Sequence, residues 1–271
     1  EERLAYLRDL EDRRATVLAS IREQGVLTPD LEKQIRAADT KTRLEDLYLP
    51  YRPKRRTKAM IAREAGLEPL ARALLADPQR SPEAEARRYV NAEKGFADTD
   101  AVLEGARAIL IETMGEDADL LGRIRQHIAQ RGFLQASMVR GKQEEGKTYR
   151  DYFDHHEPLA RVPSHRALAM LRGKREGVLR LQLLADRSHL EDPKQTTRGE
   201  EMIARRFRIE DRRRRADGWL LETVRAAWRQ KVLPHLETEA LSALRERAER
   251  EAIEVFARNL DDLLMAPPAG A

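Results

Sequence analysis

The stretch Val178-Leu179-Arg180-Leu181-Gln182-Leu183 decides the fold class of this chain. Apolar and polar residues alternate along it with the period of a half-buried strand, and Gly173 and Gly177 bound it on one side. A lone strand, however, has nothing to pair with. The same residues also continue the helical pattern that Pro163-Ser164 opens and that runs through Leu171, so both readings stay open at this point. The surroundings are helical almost throughout. The expected fold is all-α with at most one short strand or hairpin.

Outward from this stretch the pattern is one of short helices. Leu4, Leu7, Leu10, Val17, Leu18 and Ile21 recur at helical spacing, and Gly25 fits the stop. Thr28-Pro29 reads as an N-cap with Pro at the first helical position. Thr42 with Glu45 makes a capping-box pattern, and Asp98 or Thr99 can cap a longer helix to about Met114. Residues 132–157 are broken by Gly141 and Gly146. Beyond the loop-like 192–197, Thr197 with Glu200 forms another capping box, and the chain reads as almost continuous helix to Leu264, with room for breaks near Asp217-Gly218 and at Pro234. The expected division is a helical region at 1–131, a mixed region with a basic turn at 132–196, a long helical region at 197–264 and a linker at 265–271. Helix–turn–helix-type elements such as 57–76 are expected within this multi-helix scaffold, although any helical protein holds many such hairpins.

Composition narrows the function. Charged residues make up 36% of the 271, above the usual quarter, yet 51 basic and 47 acidic side chains leave a net charge of only +4. Any affinity for nucleic acid therefore has to come from local patches. There is no cysteine, which excludes disulfides, thiolate zinc sites and cysteine nucleophiles and suits a reducing compartment. No apolar run approaches the roughly 18 residues of a membrane helix. The chain starts at Glu1-Glu2 within a helical pattern and ends in APPAGA, as expected of a piece of a longer protein.

Of three basic stretches, two are candidates for phosphate contact. Arg52, Lys54, Arg55, Arg56 and Lys58 place five cations in seven positions, directly after the Tyr48-Leu49-Pro50-Tyr51 knot. The alternative is a solvated hinge whose arginines pair with carboxylates. Tyr48 and Tyr51 could stack on bases, but packing of Tyr48 against flanking helices is the more frequent outcome. Arg172, Lys174 and Arg175 sit with Gly173 and Gly177 in a glycine-flanked basic turn, where backbone can approach a phosphate. The competing reading is a helix C-terminus with Gly173 as its cap. Arg205, Arg206, Arg208 and Arg212–Arg215 interleave with Glu210, Asp211 and Asp217, and read mainly as a salt-bridged, exposed helix. Asp151, Asp154, His155, His156 and Glu157 lack the i, i+4 spacing of a helical metal pair, so neither a metal nor a cofactor is expected. No catalytic constellation stands out.

Residues 42–51, TRLEDLYLPY, followed by Lys and Arg, resemble a recurring string of bacterial Tex-type transcription accessory proteins. Three further segments are similar to that family: NAEKGFADTDAVLEGARAILI (91–111), YRDYFDHHEPLARVPSHRALAMLRGKREGVL (149–179) and ARNLDDLLMAPPAG (257–270). The resemblance implies a mostly α-helical N-terminal region of a multidomain cytoplasmic protein, with RNase H-like, helix–hairpin–helix and OB-type modules downstream. It implies a non-enzymatic scaffold that contributes weak, sequence-independent RNA or DNA binding. The alternative it leaves is a module docking RNA polymerase or the protein's own downstream domains.

Overall fold

The computed structural model describes residues 2–187 and 195–265. The expected linker falls at residues 265–271, of which 266–271 lie outside the described residues, as do residues 192–194 of the expected loop. The chain divides into two compact units, each discontinuous in sequence. One takes the chain up to Ile124 together with Glu200–Val232; the other takes Arg125–Gly199 and the chain from Leu233 onward.

In the first unit, α1 (Glu2–Glu23), α2 (Pro29–Ala37) and α3 (Lys41–Tyr48) bury Leu10, Val17, Leu18, Ile21, Ile35, Leu44 and Leu47 in one cluster. Thr28 caps α2 by accepting from the Leu31 N–H, with Pro29 at the first turn. The cap of α3 is Thr40, which accepts from the Arg43 N–H, and not Thr42. Tyr48 is buried in this cluster, where its hydroxyl lies 3.0 Å from Ser20 Oγ. It is a packing residue.

A 3-10 turn at Leu49–Tyr51 leads to the short helices α4 (Lys58–Glu64), α5 (Glu68–Ala76) and α6 (Pro82–Ala86). All three pack on α7 (Thr99–Gly115), which Asp98 caps through the Ala101 N–H. After α8 (Ala118–Arg131), the first unit takes up α10 (Arg198–Arg206) and α11 (Asp217–Ala227), and α11 packs on α7 as well.

The segment 207–216, expected to be helical, is not. α10 ends with the Ile209 N–H on Ala204 O and the Arg208 N–H on Arg205 O, the pair of bonds that closes a helix when the next residue turns left-handed. That residue is Arg208, with φ 56°, and Arg213 is left-handed too, with φ 60°. The Asp217 carboxylate then accepts from the Arg212 and Arg214 N–H groups, each at 2.8 Å, and from Arg214 Nε at 2.9 Å. A buried carboxylate thus takes backbone donors that a helix would have used.

In the second unit, β1 (Phe133–Met138) is the central strand of a three-stranded antiparallel sheet, ordered β2-β1-β3. It pairs with β2 (Asp154–Pro158) and with β3 (Leu179–Leu184), in register Leu134↔Glu157 and Leu134↔Leu183. This corrects the all-α expectation of at most one strand or hairpin: the chain is mostly helical but carries a full small sheet. The strand candidate at 178–183 does find a partner. Leu179, Leu181 and Leu183 point inward and Arg180 outward, as the alternation requires. α9 (Ser164–Arg175) packs on β3, and so does α12 (Leu233–Met265). Glu237 of α12 accepts from the Leu183 N–H at 2.8 Å and so satisfies a donor on an edge strand.

Among the described residues, no helix is long and apolar enough to cross a membrane.

Candidate nucleic-acid interface

The two predicted cationic sites fall in different units and have different fates. In the first block, three of the five cations are held by carboxylates. Arg52 donates to Glu45, which also takes Arg13 Nε at 2.6 Å. Lys54 bonds Glu116 and stands 3.8 Å from Glu112. Arg56 bonds Glu64. Arg55 and Lys58 are exposed and make no ion pair among the described residues.

Of the carboxylates that receive these cations, Glu116 is buried and Glu45 half-buried, whereas Glu64 is exposed and its pair with Arg56 lies on the surface. Glu112 and Glu116 on and beside α7 are buried, and Arg63 donates to Glu112 while Lys231 Nζ lies 3.3 Å from Glu116. Burial pushes the Glu112 carboxyl up, but the Arg63 bond and the charges of Lys54, Arg63 and Lys231 outweigh it and hold it below the usual carboxylate range. Glu45 is likewise lowered: burial opposes, and Arg13 and Arg52 prevail. Lys54 is therefore part of an internal ion network in this unit.

The second site is arranged differently. Arg172, Lys174 and Arg175 occupy the last turn of α9, next to the negative end of the helix dipole. The helix closes through the Val178 N–H on Gly173 O and the Gly177 N–H on Lys174 O, with Gly177 left-handed at φ 72°. Gly177, not Gly173, is the cap. Gly173 is small for a different reason: a Cβ there would stand 2.7 Å from Leu179 Cδ1 and 3.2 Å from Tyr149 Cδ1. Its missing side chain admits the sheet to the helix rather than a phosphate to the backbone. Tyr149 in turn donates its hydroxyl to Glu176 at 2.8 Å, and burial together with that bond raises its pKa.

None of the three cations forms an ion pair among the described residues, and all are exposed. They line a groove of about 690 Å³ between α9 and α12, floored by Leu168, Leu171 and Leu241. Arg245 from α12 joins them as a fourth cation without an ion-pair partner among the described residues. Two carboxylates also line the groove, and one of them, Glu237, is already engaged by the Leu183 N–H. Sequence reasoning misses Arg245. It lies far along the chain from Arg172, Lys174 and Arg175, and only the packing of α9 on α12 brings it in.

The helix–turn–helix-like hairpin of α4 and α5 offers little to a nucleic acid on its second helix, whose one cation, Arg72, bonds Glu68 at 2.8 Å. At the His pair, His155 Nε2 lies 3.1 Å from Glu157, which also accepts from Arg166 at 2.9 Å. The Glu157 carboxylate thus serves the edge of the sheet.

Comparison with known proteins matches residues 77–256 to the family described as Tex central region-like. The chain is 57% identical over 270 residues to Protein YhgF of Escherichia coli (strain K12), covering 100% of this chain and 35% of that protein. It is 52% identical over 269 residues to the Transcriptional accessory protein Tex of Neisseria gonorrhoeae, covering 99% of this chain and 35% of that protein. S1 RNA-binding domain-containing protein 1 of Homo sapiens is 25% identical over 277 residues, covering 99% of this chain and 27% of that protein. The chain thus spans about a third of the length of the bacterial relatives. With a family match over most of its residues and bacterial relatives along all of them, the chain belongs to the Tex central region-like family.

Proposed function

We propose that this region serves a transcription accessory protein as a non-enzymatic, cytoplasmic scaffold that holds the phosphate backbone of RNA or DNA in the α9–α12 groove. The observation that carries the reading is the set of four cations, Arg172, Lys174, Arg175 and Arg245, gathered on one groove without ion pairs among the described residues. Arg55 and Lys58 offer a smaller contact in the first unit, since Arg52, Lys54 and Arg56 are engaged by Glu45, Glu116 and Glu64. Guanidinium and ammonium groups on an open groove neutralise phosphates without reading base edges, so the binding is sequence-independent and salt-sensitive. The names of the relatives in Neisseria gonorrhoeae and Homo sapiens, which refer to transcription and to RNA binding, agree with it.

Titrating labelled single-stranded RNA and duplex DNA at several salt concentrations tests this. Arg172→Glu/Lys174→Glu/Arg175→Glu is expected to weaken RNA binding roughly tenfold or more and to lower the salt slope by about 2, at about 0.7 per lost single-strand phosphate contact. Wild-type affinity and slope in that variant would end the assignment.

A second reading, a protein-docking module, has its own support. Every residue from 251 to 265 is exposed, and Ile253, Phe256, Leu260, Leu263 and Leu264 recur at helical spacing on α12. RNA polymerase or further domains of the same protein are the partners this surface would take. Phe256→Asp with Leu260→Asp is then expected to abolish capture of purified RNA polymerase, with RNA affinity unchanged. Capture that survives both substitutions rules out this surface.

A further inference from the structure

The arginine-rich loop that follows α10 is a separate feature of the first unit. Residues 205–217 carry seven arginines against Glu210, Asp211 and Asp217, a net of +4 that equals the net charge of the whole chain. Three of the arginines are committed: Arg206 to Asp117 at 2.8 Å, Arg212 to Glu210 at 2.5 Å and Arg214 to Asp217 at 2.9 Å. Arg205, Arg208, Arg213 and Arg215 are exposed and make no ion pair among the described residues.

Two of these four, Arg208 and Arg213, hold left-handed backbone angles, where glycine or asparagine is the usual residue. Neither side chain makes an ion pair among the described residues that would offset the strain. The strain persists because the loop is over-determined around it. The buried Asp217 carboxylate holds the N–H groups of Arg212 and Arg214, Asp211 Oδ1 takes the Arg213 N–H at 2.9 Å, and the Ala216 N–H bonds Pro78 O at 3.0 Å. The clasp fixes Arg213 and Arg215 on either side of Arg214. The chain from Arg208 to Arg215 reaches at most about 25 Å, enough to follow several successive phosphates.

We propose that Arg205, Arg208, Arg213 and Arg215 form a second phosphate-backbone site for nucleic acid, distinct from the α9–α12 groove. A protein partner is disfavoured by the surface itself. No large apolar side chain between 198 and 232 is exposed, so the loop lacks the apolar centre of a protein interface and presents guanidinium groups alone. The acidic groups about the loop are occupied: Glu210 and Asp217 by arginines and Asp211 by backbone.

Arg208→Gly/Arg213→Gly tests the site, because it removes two charges while relieving both left-handed residues. The expected result is an unchanged or raised melting temperature, with the salt slope for a labelled single-stranded oligonucleotide lowered by about 1.4. Arg36→Gln/Arg72→Gln removes the same charge from two arginines paired with Glu32 and Glu68 and is expected to leave the slope unaltered. Three results would overturn the proposal: a wild-type slope in the glycine variant, an equal fall in the control, or no oligonucleotide binding by the chain at all. Loss of binding to poly-glutamate in place of the oligonucleotide would assign the loop to acidic polypeptides instead. The groove substitutions leave this loop intact, so a slope that falls in only one of the two variants tells the two sites apart.

Discussion

Asp217→Ala is expected to destabilise the first unit by about 2–3 kcal/mol, because it strands two backbone N–H groups that no other acceptor is placed to take. Asp217 is 1% exposed and stands at the first position of α11, where a carboxylate also complements the helix dipole. Burial pushes its carboxyl up, yet the Arg214 guanidinium and the N–H groups of Arg214 and Arg212 hold it below the usual carboxylate range. A lowered folded-state pKa means that this stabilisation is present above the unfolded pKa and is lost as pH falls through the folded one. The gap in melting temperature between wild type and variant should therefore be several degrees at neutral pH and shrink in acid. Equal melting temperatures at neutral pH would show that the loop does not depend on the clasp. Oligonucleotide binding should fall as well, since Arg213 and Arg215 are positioned by the same carboxylate.

The contrast between what is legible in the sequence and what is not follows the range of each interaction. The starts of α2 and α7 can be read because a cap needs only a side chain and an N–H three residues on, as at Thr28 and Asp98. The apparent capping box at Thr42 and Glu45 misleads because Thr40 already caps the helix two residues earlier, which leaves Glu45 to bond Arg13 from 32 residues away. β2 is hidden for a related reason. Asp-His-His-Glu-Pro has little strand propensity, and its extended form rests on pairing with β1. β1 itself is central, so its stability is a property of both neighbours and is absent from its six residues alone.

The candidate sites divide in the same way. Clusters of cations are visible, but which of them remain available depends on carboxylates far along the chain. Lys54 meets Glu116 across 62 residues and Arg63 meets Glu112 across 49, and neither pairing has a local signature. Arg172, Lys174 and Arg175 make no ion pair among the described residues, although Glu176 follows them directly in sequence and hydrogen-bonds Tyr149. The four-arginine run at 212–215 reads as helix on propensity, yet one buried carboxylate at 217 competes successfully for its backbone.

The buried network around Glu112 supplies the second large effect. Glu112→Ala is expected to cost about 3 kcal/mol, since it removes a buried acceptor shared by Arg63, Lys54 and Thr57 and leaves a gap against α4. Glu112→Gln keeps the volume and should cost less, which separates the charge from the packing. The Glu112 pKa is lowered in the folded state, so the charge contributes above the unfolded carboxylate pKa and is lost as pH falls through the folded one. Chemical denaturation of wild type and Glu112→Gln should accordingly give a difference that is largest near neutral pH and closes in acid. A difference that stays constant with pH would mean that the carboxylate is not held ionised by these cations. RNA affinity measured on the same Glu112→Gln protein, while it remains folded, should match wild type. The network then fixes the scaffold on which Arg55 and Lys58 are displayed, and the cations it holds are spent on folding.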